Sequence, residues 1–98
     1  MEKQTPHYDL TQIKLLIEQG KVNATHTAML GAVALGLDYQ AMLDTVRSLT
    51  HADFYKSMTS YANHKIWQDV YRPNTPVGQI YLKLTVIDNL LIVSFKER

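Results

Sequence analysis

The sequence predicts an α+β domain in which N-terminal helices pack on a C-terminal antiparallel β-sheet. Three observations predict it. Apolar residues recur at helical spacing between residues 9 and 49. Aromatic and β-branched residues crowd into strand-length runs from residue 54 onward. The 98-residue chain is 46% hydrophobic and 19% charged, an ordinary globular balance at the size of one domain, so residues 1–98 are read as a single unit.

Asp9-Leu10-Thr11-Gln12 has the form of a capping box, and Leu10, Ile13, Leu16 and Ile17 follow on one helical face before Gly20 stops the helix. Lys21-Val22-Asn23 can hold a short edge strand. A second helix is expected to start near Thr25 or Thr27, run through Met29, Leu30, Val33 and Ala34, and stop at Gly36. The third has Asp38 as N-cap and Tyr39, Met42, Leu43, Val46 and Leu49 on one face. Strands are expected over Phe54–Thr59 and Ile66–Tyr71. A turn cluster follows at Pro73–Gly78, then two runs, Ile80–Ile87 and Leu90–Lys96, joined by Asp88-Asn89. A two-residue hairpin loop there sets Val86 opposite Leu91, Leu84 opposite Val93 and Leu82 opposite Phe95 on the core face. It sets Thr85 opposite Ile92, Lys83 opposite Ser94 and Tyr81 opposite Lys96 on the other.

The absence of cysteine excludes disulfides, thiolate metal sites and a cysteine nucleophile. His7, His26, His51 and His64 lack metal-ligand spacing, so no metal and no cofactor are expected. Gly20, Gly31, Gly36 and Gly78 form neither a dinucleotide fingerprint nor a phosphate loop, and no serine sits in a nucleophile elbow. No apolar run is long enough to span a membrane, and no secretory core follows Met1, so a cytoplasmic protein is expected. Net charge is +1, but residues 50–98 carry six Lys or Arg against four Asp or Glu, together with seven of the nine aromatic residues. Interleaved cations and aromatics suit single-stranded nucleic acid, although aromatics also favour strands for structural reasons alone. Any catalysis must rest on Lys, Tyr, His or Arg, which suits transesterification of RNA through its own 2′-hydroxyl.

The strings Asp53–Thr59, Ile66–Pro73, Gly78–Lys83 and Leu91–Glu97, with Met1-Glu2-Lys3 and Thr5-Pro6-His7, resemble the MqsR family. These are motility quorum-sensing regulators, toxins of bacterial type II toxin–antitoxin pairs. The resemblance implies a RelE-like fold and an mRNA interferase that cuts messenger RNA at GCU-type sites, and with it arrest of growth. It implies as partner an MqsA-like antitoxin, which binds zinc and carries a helix-turn-helix DNA-binding region. The family's functional positions fall on Lys56, Gln68, Tyr81 and Lys96. Under this reading Lys56 and Lys96 stabilise the charge developing on the phosphoryl oxygens, an effect of ~3–4 kcal/mol for one positioned donor. Gln68 orients substrate, and Tyr81 exchanges a proton or hydrogen-bonds the phosphate. Unperturbed Lys and Tyr titrate about three units above neutrality, which suits a general base poorly. His7 is a further candidate acid, base or RNA contact. Two other readings fit the residues: a non-catalytic RNA binder stacking bases on Tyr55, Trp67 and Tyr81, and a protein-interaction module offering a strand edge.

Overall fold

The computed structural model describes residues 1–98. In chain order the elements are β1 (Glu2–Lys3), α1 (Leu10–Glu18), β2 (Val22–Ala24), α2 (His26–Ala34), α3 (Tyr39–Arg47), a 3-10 turn (His51–Asp53), β3 (Phe54–Thr59), β4 (Trp67–Tyr71), β5 (Asn74–Thr75), β6 (Gly78–Ile87) and β7 (Asn89–Glu97). The sheet runs β1-β3-β4-β6-β7-β2, with β5 folded back on β6. The α+β class is as expected, with one correction: β2 lies parallel to β7, so the sheet is mixed rather than wholly antiparallel. β2 arrives from α1 and needs no hairpin with a strand so distant in sequence. Its flanks are tied by Leu90 N–H to the Lys21 carbonyl and Thr25 N–H to the Ile92 carbonyl, each 3.0 Å.

The helix boundaries follow from their caps. Side-chain oxygens of Asp9, Thr25 and Asp38 accept from the backbone N–H of Thr11, Ala28 and Ala41, satisfying donors that the first turns leave free. α1 and α2 each end in a Schellman motif. The Lys21 N–H reaches the Leu16 carbonyl and the Leu37 N–H the Ala32 carbonyl, which needs the positive φ of Gly20 and Gly36.

α1 and α3 bury the faces that their periodicity predicts, including Ile13, Met42 and Val46 with no exposure. α2 differs. Its small residues Ala28 and Ala32 are buried, while Leu30 and Val33 are exposed. The reason is proximity: a Cβ on Gly31 would stand 1.7 Å from the Phe95 carbonyl oxygen, so α2 lies almost on the β7 backbone. Only small residues fit that contact, and the larger ones turn outward.

The β6–β7 hairpin departs from the expected register near its turn and recovers it further on. Asp88 alone has positive φ (64°), and Ile87 pairs with Asn89, so the two-residue type I′ loop does not form. Pairing is one residue tighter, with Val86 opposite Leu90 and Leu84 opposite Ile92. Leu90 and Ile92 therefore enter the core in place of Leu91 and Val93. The extra residue is accommodated in a bulge at Val93, after which Lys83 meets Ser94, Leu82 meets Phe95 and Tyr81 meets Lys96. The bulge is fixed from outside, because the Thr25 hydroxyl that caps α2 donates to the Val93 carbonyl at 2.8 Å. The resulting core joins all three helices to Tyr71, β6 and β7.

Candidate functional site

Side chains on a strand alternate between faces, so the cross-strand register states which residues share a surface. On the helix-covered side, Ser57, Asp69 and Leu84 form one row, and Tyr71, Leu82 and Phe95 the next. On the open side, Lys56, Val70, Lys83 and Ser94 form one row, with Tyr81 and Lys96 beside it. Gln68, opposite Met58, belongs to the same open side one row away. The structure thus gathers Lys56, Gln68, Tyr81 and Lys96 on one face, from four segments of the sequence.

The electrostatics of that face are one-sided. The Lys56 ammonium has a carboxylate nearby, Glu2 at 3.3 Å, delivered by β1. Lys83 and Lys96 form no ion pair, and the Lys96 ammonium lies 5.4 Å from the centre of the Tyr81 ring. The Tyr81 hydroxyl and the Gln68 amide have no hydrogen-bond partner within the chain, so both are free for a ligand. At one edge of the strip a β-bulge displaces Tyr55, and the Arg72 guanidinium stacks on its ring at 3.6 Å. Lys83 is half-buried between its neighbours. Burial first, then Lys96 and Lys56, lower its pKa from the usual lysine value. Its part in the face was missed at the level of sequence, although the expected register already set it opposite Ser94. Glu2 stands in the family-like string Met1-Glu2-Lys3, but nothing in the sequence pointed to its pairing with Lys56.

His7 lies elsewhere. Its ring stacks on Trp67 (centroids 5.3 Å apart, planes 15°), and its Nδ1 is 2.9 Å from the Lys3 ammonium. Lys3 pairs with Ser57 on the helix-covered side, which sets His7 across the sheet from Lys56, Tyr81 and Lys96. Burial and Lys3 push the imidazole pKa down, with Asp69 opposing them. The backbone N–H groups of His7 and Tyr8 both donate to the buried Asp69 carboxylate, at 2.9–3.1 Å. That carboxylate anchors the segment leading into α1.

The open strip is a surface, not a cavity. The two concavities of the molecule lie between α3 and the β5–β6 turn and beside the start of α1, and neither is lined by the strip. No three His, Cys, Asp or Glu side chains cluster as metal ligands, and no helix is long and apolar enough to cross a membrane.

The fold and this face define a small α+β protein that carries a mainly cationic strip with two tyrosines across an uncovered sheet face. Comparison with known proteins narrows the class. Residues 5–97 match the family described as motility quorum-sensing regulator, toxin of MqsA. Over 98 residues, the whole of both chains, the sequence is 55% identical to the mRNA interferase toxin MqsR of Escherichia coli (strain K12). The chain belongs to the MqsR toxin family, and the RelE-like arrangement of helices on a largely antiparallel sheet follows from that membership.

Proposed function

We propose that the 98 residues form one toxin domain, a metal-independent endoribonuclease that cleaves messenger RNA at GCU-type sites and is neutralised by an MqsA-like antitoxin. The class of activity is that named for the relative identical at 55% of positions. Within this chain, the observation that carries the reading is the convergence of Lys56, Tyr81 and Lys96, with Gln68 beside them, on one open face.

The reaction needs a 2′-oxygen, a phosphorus and a 5′-oxygen held in line, and charge stabilisation where the phosphoryl oxygens gain negative charge. Lys96 and Lys56 supply that charge from adjacent rows of the sheet. Glu2, itself exposed, holds the largely covered Lys56 ammonium at 3.3 Å until a phosphate competes for it. The free Tyr81 hydroxyl hydrogen-bonds the scissile phosphate or the 2′-hydroxyl, and the unengaged Gln68 amide orients the neighbouring nucleotide. Tyr55 with its Arg72 partner offers an aromatic–guanidinium platform for a flanking base. Products would be a 2′,3′-cyclic phosphate, or its opened 3′-phosphate, and a 5′-hydroxyl.

The test uses purified protein, a single-stranded RNA with one GCU, and excess EDTA, with Tyr81→Phe in parallel. Cleavage at that site with a 5′-hydroxyl product, undiminished by EDTA and at least about 100-fold slower in the variant, is the expected result. Intact RNA after incubation with folded wild-type protein, with and without ribosomes, would leave a binding protein instead. Addition of an MqsA-like antitoxin is expected to abolish cleavage.

A further inference from the structure

Three lysines occupy the open face, and their surroundings differ in a way that divides the chemistry among them. Lys56 is paired with Glu2, so its charge is supported. Lys96 is exposed and its ammonium is solvated. Lys83 has neither support. It is half-buried, pairs across β4–β6 with the fully buried Val70, makes no hydrogen bond or ion pair, and has a cation on either side. The sheet spacing puts Lys56 two strands away, at about 10 Å between backbones, and makes Lys96 a diagonal neighbour across β6–β7 at about 7–8 Å. The charged groups facing it are Glu2 from β1, Lys56 from β3, Arg72 just beyond β4 and Lys96 from β7. Tyr81 lies two residues away on its own strand, and Tyr55 is at the bulge.

We propose that Lys83 is a catalytic residue of this face, the proton donor to the 5′-oxygen that leaves when the RNA chain is cut. The proposal rests on the ribonuclease reading above and assigns a role within it. As the 2′-oxygen bonds to phosphorus, the bond from phosphorus to the 5′-oxygen breaks and its electron pair stays on that oxygen. The Lys83 ammonium gives up a proton there, forming the product 5′-hydroxyl and a neutral amine. The proton of the 2′-hydroxyl passes to water, and the amine is reprotonated from solvent before the next turnover. Half-buried, without a carboxylate partner and flanked by two cations, the Lys83 ammonium is disposed to part with a proton. Lys56 and Lys96 hold the phosphate.

The experiment compares two substrates: the GCU-containing RNA, and the same strand with the bridging 5′-oxygen at the mapped cleavage position replaced by sulfur. A thiolate leaves without a proton. Lys83→Met keeps the apolar stem, and Lys83→Arg keeps the charge but holds its proton near neutrality. Both variants, with folding verified by thermal melting, are expected to cut ordinary RNA about 100-fold or more slowly and the sulfur-bridged strand within about threefold of wild type. The wild-type rate on ordinary RNA should fall at high pH as Lys83 loses its proton, with no such fall on the sulfur substrate. Equal losses on both substrates, or restoration of ordinary RNA cleavage by Lys83→Arg, would show that Lys83 acts through charge alone and overturn the proposal. So would full activity in Lys83→Met. Wild-type protein that cuts neither strand, with and without ribosomes, would overturn the ribonuclease reading itself, and this assignment with it.

Discussion

β6 serves two environments at once. Toward the helices it sends Ile80, Leu82 and Leu84, all without exposure; toward the open side it sends Tyr81 and Lys83. The first set sits in a closed hydrophobic cluster with β7 and the three helices, where each fully buried aliphatic side chain stabilises the fold by about 1.5–3 kcal/mol. The second set sits among like charges with little to neutralise them, an arrangement that works against stability. The uncovered face is therefore more than a solvated remainder. A sheet face left open for solubility alone would intersperse both signs of charge, and this one concentrates one sign.

The largest expected contrast comes from neighbouring substitutions on the two faces. Leu84→Ala is expected to cost about 2–5 kcal/mol in denaturant unfolding, because it leaves a void under the helices. Lys96→Ala, one strand away on the exposed side, should change stability by less than about 0.5 kcal/mol while reducing RNA cleavage by about 100-fold. A comparable stability loss in Lys96→Ala would break the division of labour between the faces.

Asp69 tests where the division is drawn. It faces the helix side, is wholly buried, and accepts from the His7 and Tyr8 backbone with no cation bonded to it. Asp69→Ala leaves two backbone donors unpaired, so a loss of about 2–3 kcal/mol is expected. Faster amide exchange confined to residues 5–10 should accompany it. Cleavage assayed well below the unfolding midpoint should be retained, since His7 lies across the sheet from the lysines. If cleavage is lost while the fold persists, the N-terminal segment contributes to the reaction after all.

Much of this was legible in the sequence, for reasons that particular residues make plain. Caps with short polar side chains at Asp9 and Asp38 act locally, so those helix starts could be read directly, whereas the start of α2 was left between Thr25, which caps it, and Thr27. Tyr81 opposite Lys96 was readable because the Val93 bulge cancels the slip made at Asp88. Between slip and bulge the reading inverted, exchanging Leu91 and Val93 for Leu90 and Ile92, since one residue of register reverses a strand face. The bulge depends on the Thr25 hydroxyl, a contact across 68 residues that no local pattern displays. The inverted packing of α2 has the same character: its cause is the Phe95 carbonyl beneath Gly31. At the site, residue types pointed to Lys56, Gln68, Tyr81 and Lys96 through family likeness. The isolation of Lys83 and the placing of His7 behind the sheet depend on which groups lie nearby in three dimensions.

The smallest expected effect concerns the one polar atom that the helix-covered face fails to satisfy. The Tyr71 hydroxyl is buried without a hydrogen-bond partner, beside Phe54 in an edge-to-face contact. Burial, and then the Asp69, Asp53 and Asp9 carboxylates, push its pKa up from 10.0 to about 12. Below pH 10 both folded and unfolded chains keep the proton. Between pH 10 and about 12 the unfolded chain releases it and the folded chain does not, so stability falls with rising pH, by at most about 2.7 kcal/mol for two units. Tyr71→Phe removes the unpaired hydroxyl and keeps the ring, so it should be more stable than wild type by about 1 kcal/mol at pH 7. Its advantage should widen from pH 10 to 12, where only the wild type carries this linkage; the remaining tyrosines are common to both proteins and cancel. A variant less stable than wild type at pH 7 would mean that the hydroxyl is paired, and the helix-covered face would then be as fully satisfied as the open face is not.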